Sequence, residues 1–272
     1  MNQKEKKYWM PKTARHICYI ICVLLLTVSF VCVGVLVEDY NSKQSNQKIF
    51  SKMAESVVVK GHEEEIFSSN AEFENETHAG ELLNAYRALA DENPDMVGWI
   101  QIDGTTINYP VMHTPDSPNY YLKRNFHKEH SDLGTPFMQG NCQMGISENL
   151  LIYGHHMLAG GMFSDLDLYK EESFWKNHKI IRFDTLTELS DYEIFAVFVV
   201  DVADTSWFRF HEFTEGDADD YKEYVRHCKQ VALYETGIEP MYGEQLITLV
   251  TCEYTQENGR IVVVAKKNGG ES

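Results

Sequence analysis

Three hydrophobic patterns divide the chain. The first is an uninterrupted apolar run, Ile17 to Val37, 21 residues without a charge and rich in Ile, Val and Leu. As a helix it is long enough to cross the hydrocarbon core of a bilayer. The stretch from Asp39 to about Thr77 is polar and acidic, with Asn41 to Gln47 and Glu63-Glu64-Glu65. It reads as a stalk or linker, partly helical at best. The second pattern begins at Ala79. Leu82, Leu83, Tyr86, Leu89 and Ala90 recur on one helical stripe that Asn93-Pro94 ends.

After Asn93-Pro94 the period drops to two. Strands are predicted at 97–102, 107–112, 134–138, 149–154, 179–184, 192–200 and 246–252, with a last one from Arg260. Asp103-Gly104 marks a turn, 119–122 a short helical turn, and 161–169 a helix or a set of turns. One clear helix interrupts the series, Asp217 to Glu235. Tyr221, Tyr224, Val225, Cys228, Val231 and Ala232 share its face, acidic residues fill its first turn and Gly237 follows it. About eight strands with two or three inserted helices predict a mainly β chain, a closed barrel or a sandwich with side helices.

The strand Leu246–Cys252 is apolar on both faces, with Leu246, Thr248, Val250 and Cys252 on one and Ile247, Leu249 and Thr251 on the other. It delivers a thiol to its end. Tyr254 to Gly259 reads as a loop, turning at Asn258-Gly259, so an antiparallel return starts Arg260 about where Cys252 ends. A guanidinium there favours thiolate and can bind a developing oxyanion. A thiol with an ordinary pKa of about 8.5 also needs a proton acceptor. His155 and His156 follow the strand 149–154, and on extended chain their rings point opposite ways, so one of the two faces the site. Glu253 falls on the strand face opposite Cys252 and is left out of the catalytic set. Adjacent histidines do not present two rings to one ion, and no carboxylate or His-x3-His partner stands at helical spacing, so no metal and no cofactor is expected.

Charge and cysteine usage narrow the class. Of 24 basic and 41 acidic residues, five and one lie before residue 38, leaving 19 against 40, a formal −21 for the remainder. That excludes nucleic acid and an anionic lipid surface as partners of the main domain. Basic residues precede the apolar run and Glu38-Asp39 follow it. An uncleaved anchor is therefore expected, with a cytoplasmic tail at 1–16, the transmembrane segment at 17–37, an extracellular linker at 38–78 and an extracellular catalytic domain at 79–272. The six cysteines show no CxxC pair. Those in the apolar run read as small hydrophobes, and Cys142, Cys228 and Cys252 as reduced thiols.

The residues Thr248-Leu-Val-Thr-Cys252 match the TLxTC signature of sortases, Arg260 their downstream arginine, and Tyr153-Gly154-His155 the Gly-His that carries their histidine. The stretches 93–104, 107–110 and 161–165, with the long helix before the signature strand, look like class B sortases. The resemblance spans about residues 79–268. It implies an eight-stranded sortase-type β-barrel, preceded here by an N-terminal helix and a single transmembrane helix. It further implies a cysteine transpeptidase of Gram-positive bacteria that cleaves a C-terminal sorting motif of secreted proteins after its threonine. The acyl group would pass through a thioacyl-enzyme to an amine of a peptidoglycan precursor, with NPxTN-like or related motifs as substrates and no calcium requirement. Carried over, Cys252 is the nucleophile, His155 the acid/base, Arg260 the oxyanion or substrate clamp and Thr251 a substrate contact. A hydrolytic cysteine protease with the same three residues and a non-catalytic, wall-binding ectodomain are the competing readings.

Overall fold

Eight strands carry the period-two pattern: β1 (Met96–Gln101), β2 (Asn108–Met112), β3 (Phe137–Met138), β4 (Asn149–Tyr153), β5 (Ile180–Thr185), β6 (Asp191–Asp201), β7 (Leu246–Glu253) and β8 (Gly259–Lys267). They close into a barrel in the order β1-β2-β3-β4-β7-β8-β6-β5, with β5 returning to β1. The computed structural model describes residues 12–60, 71–157, 160–201, 208–253 and 259–269. Of the two architectures the alternation allowed, the closed barrel is the one formed. Closure leaves no open sheet edge.

Most neighbours are antiparallel; β2–β3 and β4–β7 are parallel. A parallel pair needs a long crossover: residues 113–136 make it for β2–β3, and β5, β6 and the helices α3 (Glu172–Asn177) and α4 (Ala218–Val231) fill it for β4–β7. The core takes both faces of the central strands: Leu246, Ile247, Leu249 and Val250 of β7 and Ile261 to Ala265 of β8 are all buried. Inner side chains meet across the barrel, and helices cover the outside. The helix α4 starts at a capping box in which Asp217 accepts from the backbone of Asp219 and Asp220, satisfying the first free N–H groups. It buries Tyr221, Tyr224, Val225 and Cys228. It ends earlier than Glu235 because Ala232 turns to extended backbone.

The chain divides into two units, residues 1–45 and 46–272. In the first, the helix α1 (Lys12–Lys60) exposes the apolar side chains from Ile17 to Val37. Among the described residues this is the one helix long and apolar enough to cross a membrane. In the second unit, the end of α1 buries Phe50, Met53 and Val57, and the Phe50 ring meets Tyr109 edge-on at 5.4 Å. The expectation of a polar stretch that is partly helical at best is corrected here. Three apolar residues spaced i, i+3, i+7 make a buried stripe whose Phe50 meets β2, hidden in the sequence by Asn, Gln, Lys and Ser around it. The helix α2 (Ala71–Glu92) covers β1.

On that helix Tyr86 stacks on Trp99 at 5.9 Å and donates its hydroxyl to Asp184 of β5 at 2.9 Å. Asp184 has no exposed surface and also accepts from Ser190 N at 3.1 Å. Burial pushes its carboxyl up to about 6, against the two hydrogen bonds that hold it down. A folded-state value above the unfolded one contributes stability that is complete below pH 4 and fades as pH rises through 6. The loss by neutral pH is up to about 3 kcal/mol. Replacing Asp184 by Asn, which keeps an acceptor for Tyr86, should flatten the decline in thermal stability between pH 5 and 7.5 and leave Tm at pH 7.5 equal or higher. Thermal melts across that range test this; an equal loss at every pH would contradict it.

Candidate active site

Two strand registers end at one rim of the barrel. β4 and β7 run parallel from Asn149↔Leu246 to Tyr153↔Val250. β7 and β8 run antiparallel from Leu246↔Lys266 to Glu253↔Gly259, which sets Cys252 directly across from Arg260. Beyond Tyr153 the ladder continues with Gly154 N donating to Val250 O at 3.1 Å, and His155 follows. The strand ends therefore bring Gly154-His155, Thr251-Cys252 and Arg260 to the same edge. The Cys252 and Glu253 side chains and the expected loop over 254–258 lie outside the described residues.

A buried ring of polar groups pins this register. Thr248 Oγ1 donates to Asn149 Oδ1 at 2.8 Å, Asn149 Nδ2 donates to Tyr224 Oη at 3.1 Å, and Tyr224 Oη lies 3.1 Å from Thr248 Oγ1. With Thr248 committed as donor to the amide, Tyr224 donates to Thr248 and each group is satisfied. Asn149 Nδ2 also reaches Phe213 O at 3.0 Å. A one-residue slip of β7 would remove Thr248 from the ring and leave Asn149 Oδ1 without its donor and the Tyr224 hydroxyl without its acceptor in the core, which is costly. The first threonine of the signature thus ties β4, β7 and α4 together.

At the rim lies a largely apolar cleft of about 340 Å³. Pro118, Asn119, Leu122, Phe137, Gln139 and Gly140 line it together with Tyr153 to His155, Val250, Thr251 and Arg260. A larger groove of about 750 Å³ opens at the opposite end of the strands, but its lining has no cysteine, histidine or arginine.

The imidazole of His155 has one partner that fixes its chemistry. Nε2 lies 2.6 Å from the main-chain oxygen of Leu122. A carbonyl only accepts, so Nε2 carries the hydrogen and Nδ1 is the atom free to take or release a proton. His156 turns elsewhere, as alternation along extended chain predicted: its Nε2 pairs with Asp167 Oδ2 at 2.8 Å. His155 lines the cleft and His156 does not.

Arg260 is half-buried and donates Nη1 to Gly259 O at 2.8 Å. Among the described residues it has no ion pair with a carboxylate. Its field reaches Tyr153: burial, with a further push from Cys142, raises that phenol to about 12, and Arg260 pulls the other way. Tyr153 Oη donates to Gln139 Oε1 at 2.6 Å, and Gln139 Nε2 is held by Asn141 Oδ1 at 2.7 Å and His211 O at 3.0 Å. Thr251 is 2 % exposed, and among the described residues its hydroxyl has no hydrogen-bond partner. Cys142 and Cys228 are buried free thiols, both raised by burial. Cys142 sits deeper than its polar loop suggested, with Sγ 3.5 Å from Asn149 O. Among the described residues no cluster of His, Cys, Asp and Glu suits a metal ion.

A sequence model of the sortase domain matches residues 100–268. The chain belongs to the sortase family. The match covers more than half of its length and contains every strand end just described. Sortase B of Listeria monocytogenes serovar 1/2a is 33% identical over 190 residues, 69% of this chain and 75% of that relative. The crystal structure of Clostridium perfringens sortase B superposes with a TM-score of 0.63 at 30% identity, covering 67% of this chain and 99% of that one. The Staphylococcus aureus sortase B–substrate complex gives 0.62 at 27% identity, with 74% and 99% covered. These likenesses place this sortase in class B, among the cysteine transpeptidases that sort proteins to the cell wall.

Of the residues named from the sequence, His155, Thr251 and Arg260 line this cleft, and the backbone of Cys252 pairs with that of Arg260. Sequence reasoning missed the Leu122 carbonyl and the Gln139–Tyr153 pair. A main-chain carbonyl carries no residue-type signal, and Gln139 stands in a connection without periodicity. The glycine before His155 did carry one. A Cβ at Gly154 would stand 2.5–2.8 Å from the buried ring of Phe163. Gly154→Ala should therefore cost about 1–3 kcal/mol through overpacking and displace the histidine that follows. Denaturant midpoints and peptide turnover check both; a variant as stable and active as the wild type would contradict the close approach.

Proposed function

We propose that Cys252 is the nucleophile, His155 the general acid and base, Arg260 the oxyanion or substrate clamp and Thr251 a substrate contact of a sorting-motif transpeptidase. One observation carries this reading: the strand registers bring His155 and Arg260 to one cleft and set Cys252 across from Arg260. An extended peptide lies in the apolar cleft. The Cys252 thiolate adds to the carbonyl carbon of the motif's threonine, and the carbonyl oxygen takes the negative charge within reach of the Arg260 guanidinium. The C–N bond then breaks as His155 passes its proton to the leaving amine, leaving a thioester. An incoming amine, deprotonated by His155, adds to that thioester. The thiolate leaves and a new amide bond remains. Thr251 lines the cleft beside the cysteine, which supports its reading as a substrate contact.

The motif is NPxTN-like or related, and the amine belongs to a peptidoglycan precursor. Staphylococcus aureus sortase B, solved with a substrate, supports a peptide in the equivalent cleft. The apolar part of α1 is the membrane anchor, with residues 1–16 cytoplasmic, 17–37 spanning, 38–78 linking and the domain from 79 extracellular. Basic residues before the run and acidic ones after it support that orientation.

Sorting-motif peptides incubated with the protein, with and without an amine, test the proposal by mass spectrometry. The expected result is an acyl adduct on Cys252 and ligated product when amine is present. Cys252→Ala should abolish the adduct, and His155→Ala and Arg260→Ala should each slow its formation by about 10²- to 10³-fold. Free acid alone, whatever the amine, would make the protein a hydrolytic protease. Full activity in His155→Ala would overturn the acid/base assignment.

A further inference from the structure

The contact that orients His155 raises a physical question: what orients the Leu122 carbonyl? In a Ser-His-Asp triad a carboxylate fixes the tautomer and plane of the imidazole. Here a single main-chain oxygen at 2.6 Å does so. It belongs to a four-residue 3-10 turn, Tyr120–Lys123, and such short turns have poor hydrogen-bond geometry of their own. The bonds within and just before it run at 2.8 Å (Tyr120 N to Ser117 O), 3.1 Å (Leu122 N to Asn119 O) and 3.4 Å (Arg124 N to Tyr121 O). The Leu122 side chain is 39 % exposed and anchors nothing.

Its neighbour does. Tyr121 is fully buried. Its hydroxyl donates to Asp95 Oδ2 at 2.7 Å and accepts from Asn93 Nδ2 at 2.8 Å. Both partners sit in the turn between α2 and β1, where Asp95 N bonds Asn93 Oδ1 at 3.2 Å and Lys128 Nζ lies 2.9 Å from Asp95 Oδ2. A second strap holds the same turn by its backbone: Thr135 N donates to Tyr121 O at 3.1 Å, and Thr135 Oγ1 to Arg124 O at 2.9 Å. Between the two stands Gly134, with φ +61°. A Cβ there would lie 2.6 Å from Leu122 O, 2.8 Å from Tyr121 O and 3.1 Å from His155 Cδ2. Two of these are backbone atoms that cannot step aside cheaply. The third is the imidazole itself.

We infer that Tyr121, clamped by Asn93 and Asp95, is a positioning residue that holds the Leu122 carbonyl on His155, and that Gly134 keeps open the space this contact occupies. The inference deepens the assignment of His155 as acid and base and rests on it. Asn93, Asp95 and Tyr121 do not line the cleft, so the clamp acts through the carbonyl. Tyr121→Phe is the direct probe: Asp95 keeps Lys128 and one Asn93 Nδ2 hydrogen keeps Phe126 O at 2.6 Å, while the other loses its acceptor at a cost of about 1–3 kcal/mol in stability. Gly134→Ala strikes the same contact from the other side.

Both variants and His155→Ala are made in the full chain. Turnover is measured with an NPxTN-type peptide and hydroxylamine as the amine, and the His155 tautomer is read by ¹⁵N NMR of histidine-labelled protein. Tyr121→Phe and Gly134→Ala should retain the fold and lose about tenfold or more in kcat, with KM changed less than about twofold. Their His155 signal should pass from the Nε2–H tautomer to a mixture. A merely structural role would leave that signal in place. If His155→Ala is inactive while Tyr121→Phe keeps wild-type kcat and tautomer, the positioning inference is wrong and the catalytic one stands. If His155→Ala turns over like the wild type, the catalytic assignment falls, and the tautomer signal alone still decides whether the clamp orients the ring. Should Gly134→Ala not fold, Tyr121→Phe decides.

Discussion

The pairing of β7 with its two neighbours is the constraint on which the rest depends. β7 is bonded parallel to β4 on one side and antiparallel to β8 on the other. Those two registers alone bring three distant points of the chain to one rim: residue 155 after β4, residue 252 on β7 and residue 260 on β8. Side chains alternate along a strand, so a slip of one residue would turn every group on β7 to the wrong face. Thr248, Asn149 and Tyr224 oppose that slip with a closed set of buried hydrogen bonds. The signature Thr-Leu-Val-Thr-Cys is therefore a structural statement before it is a chemical one. Its first threonine fixes the register, its apolar residues fill the core, and its end presents the backbone of the cysteine opposite an arginine.

Around that frame the cleft divides its work between rigid and local features. Part of its lining is held by stacking and hydrogen bonds: Phe137 against Tyr153 at 5.7 Å, and Tyr153 on a Gln139 held by two further partners. Low water access at an apolar site strengthens whatever charge acts there, and Arg260 is the guanidinium lining it. The histidine is held differently, by a carbonyl from the Tyr120–Lys123 turn. That arrangement lets the strand ends set where the imidazole is and the turn set which way it faces.

Much of this was legible in the sequence because it is periodic. Alternation located all eight strands, and the length of the loop after Cys252 predicted its pairing with Arg260. Alternation also separated His155 from His156. What escaped was aperiodic or spoken by the backbone. The stripe Phe50, Met53, Val57 is too sparse to stand out among polar residues, yet it joins the end of α1 to the barrel unit. The Leu122 carbonyl and the space at Gly134 depend on a turn meeting a strand end 33 residues away in sequence. No local pattern encodes that meeting.

The central claim is that these registers electrically couple the thiol of Cys252 to His155 and Arg260. It is tested most directly by the rate at which iodoacetamide alkylates Cys252 as a function of pH, in the wild type and in His155→Gln and Arg260→Gln. Thiolate is the reacting form. The account predicts that each substitution displaces the profile and lowers the rate at neutral pH. Superimposable profiles in all three proteins would contradict it.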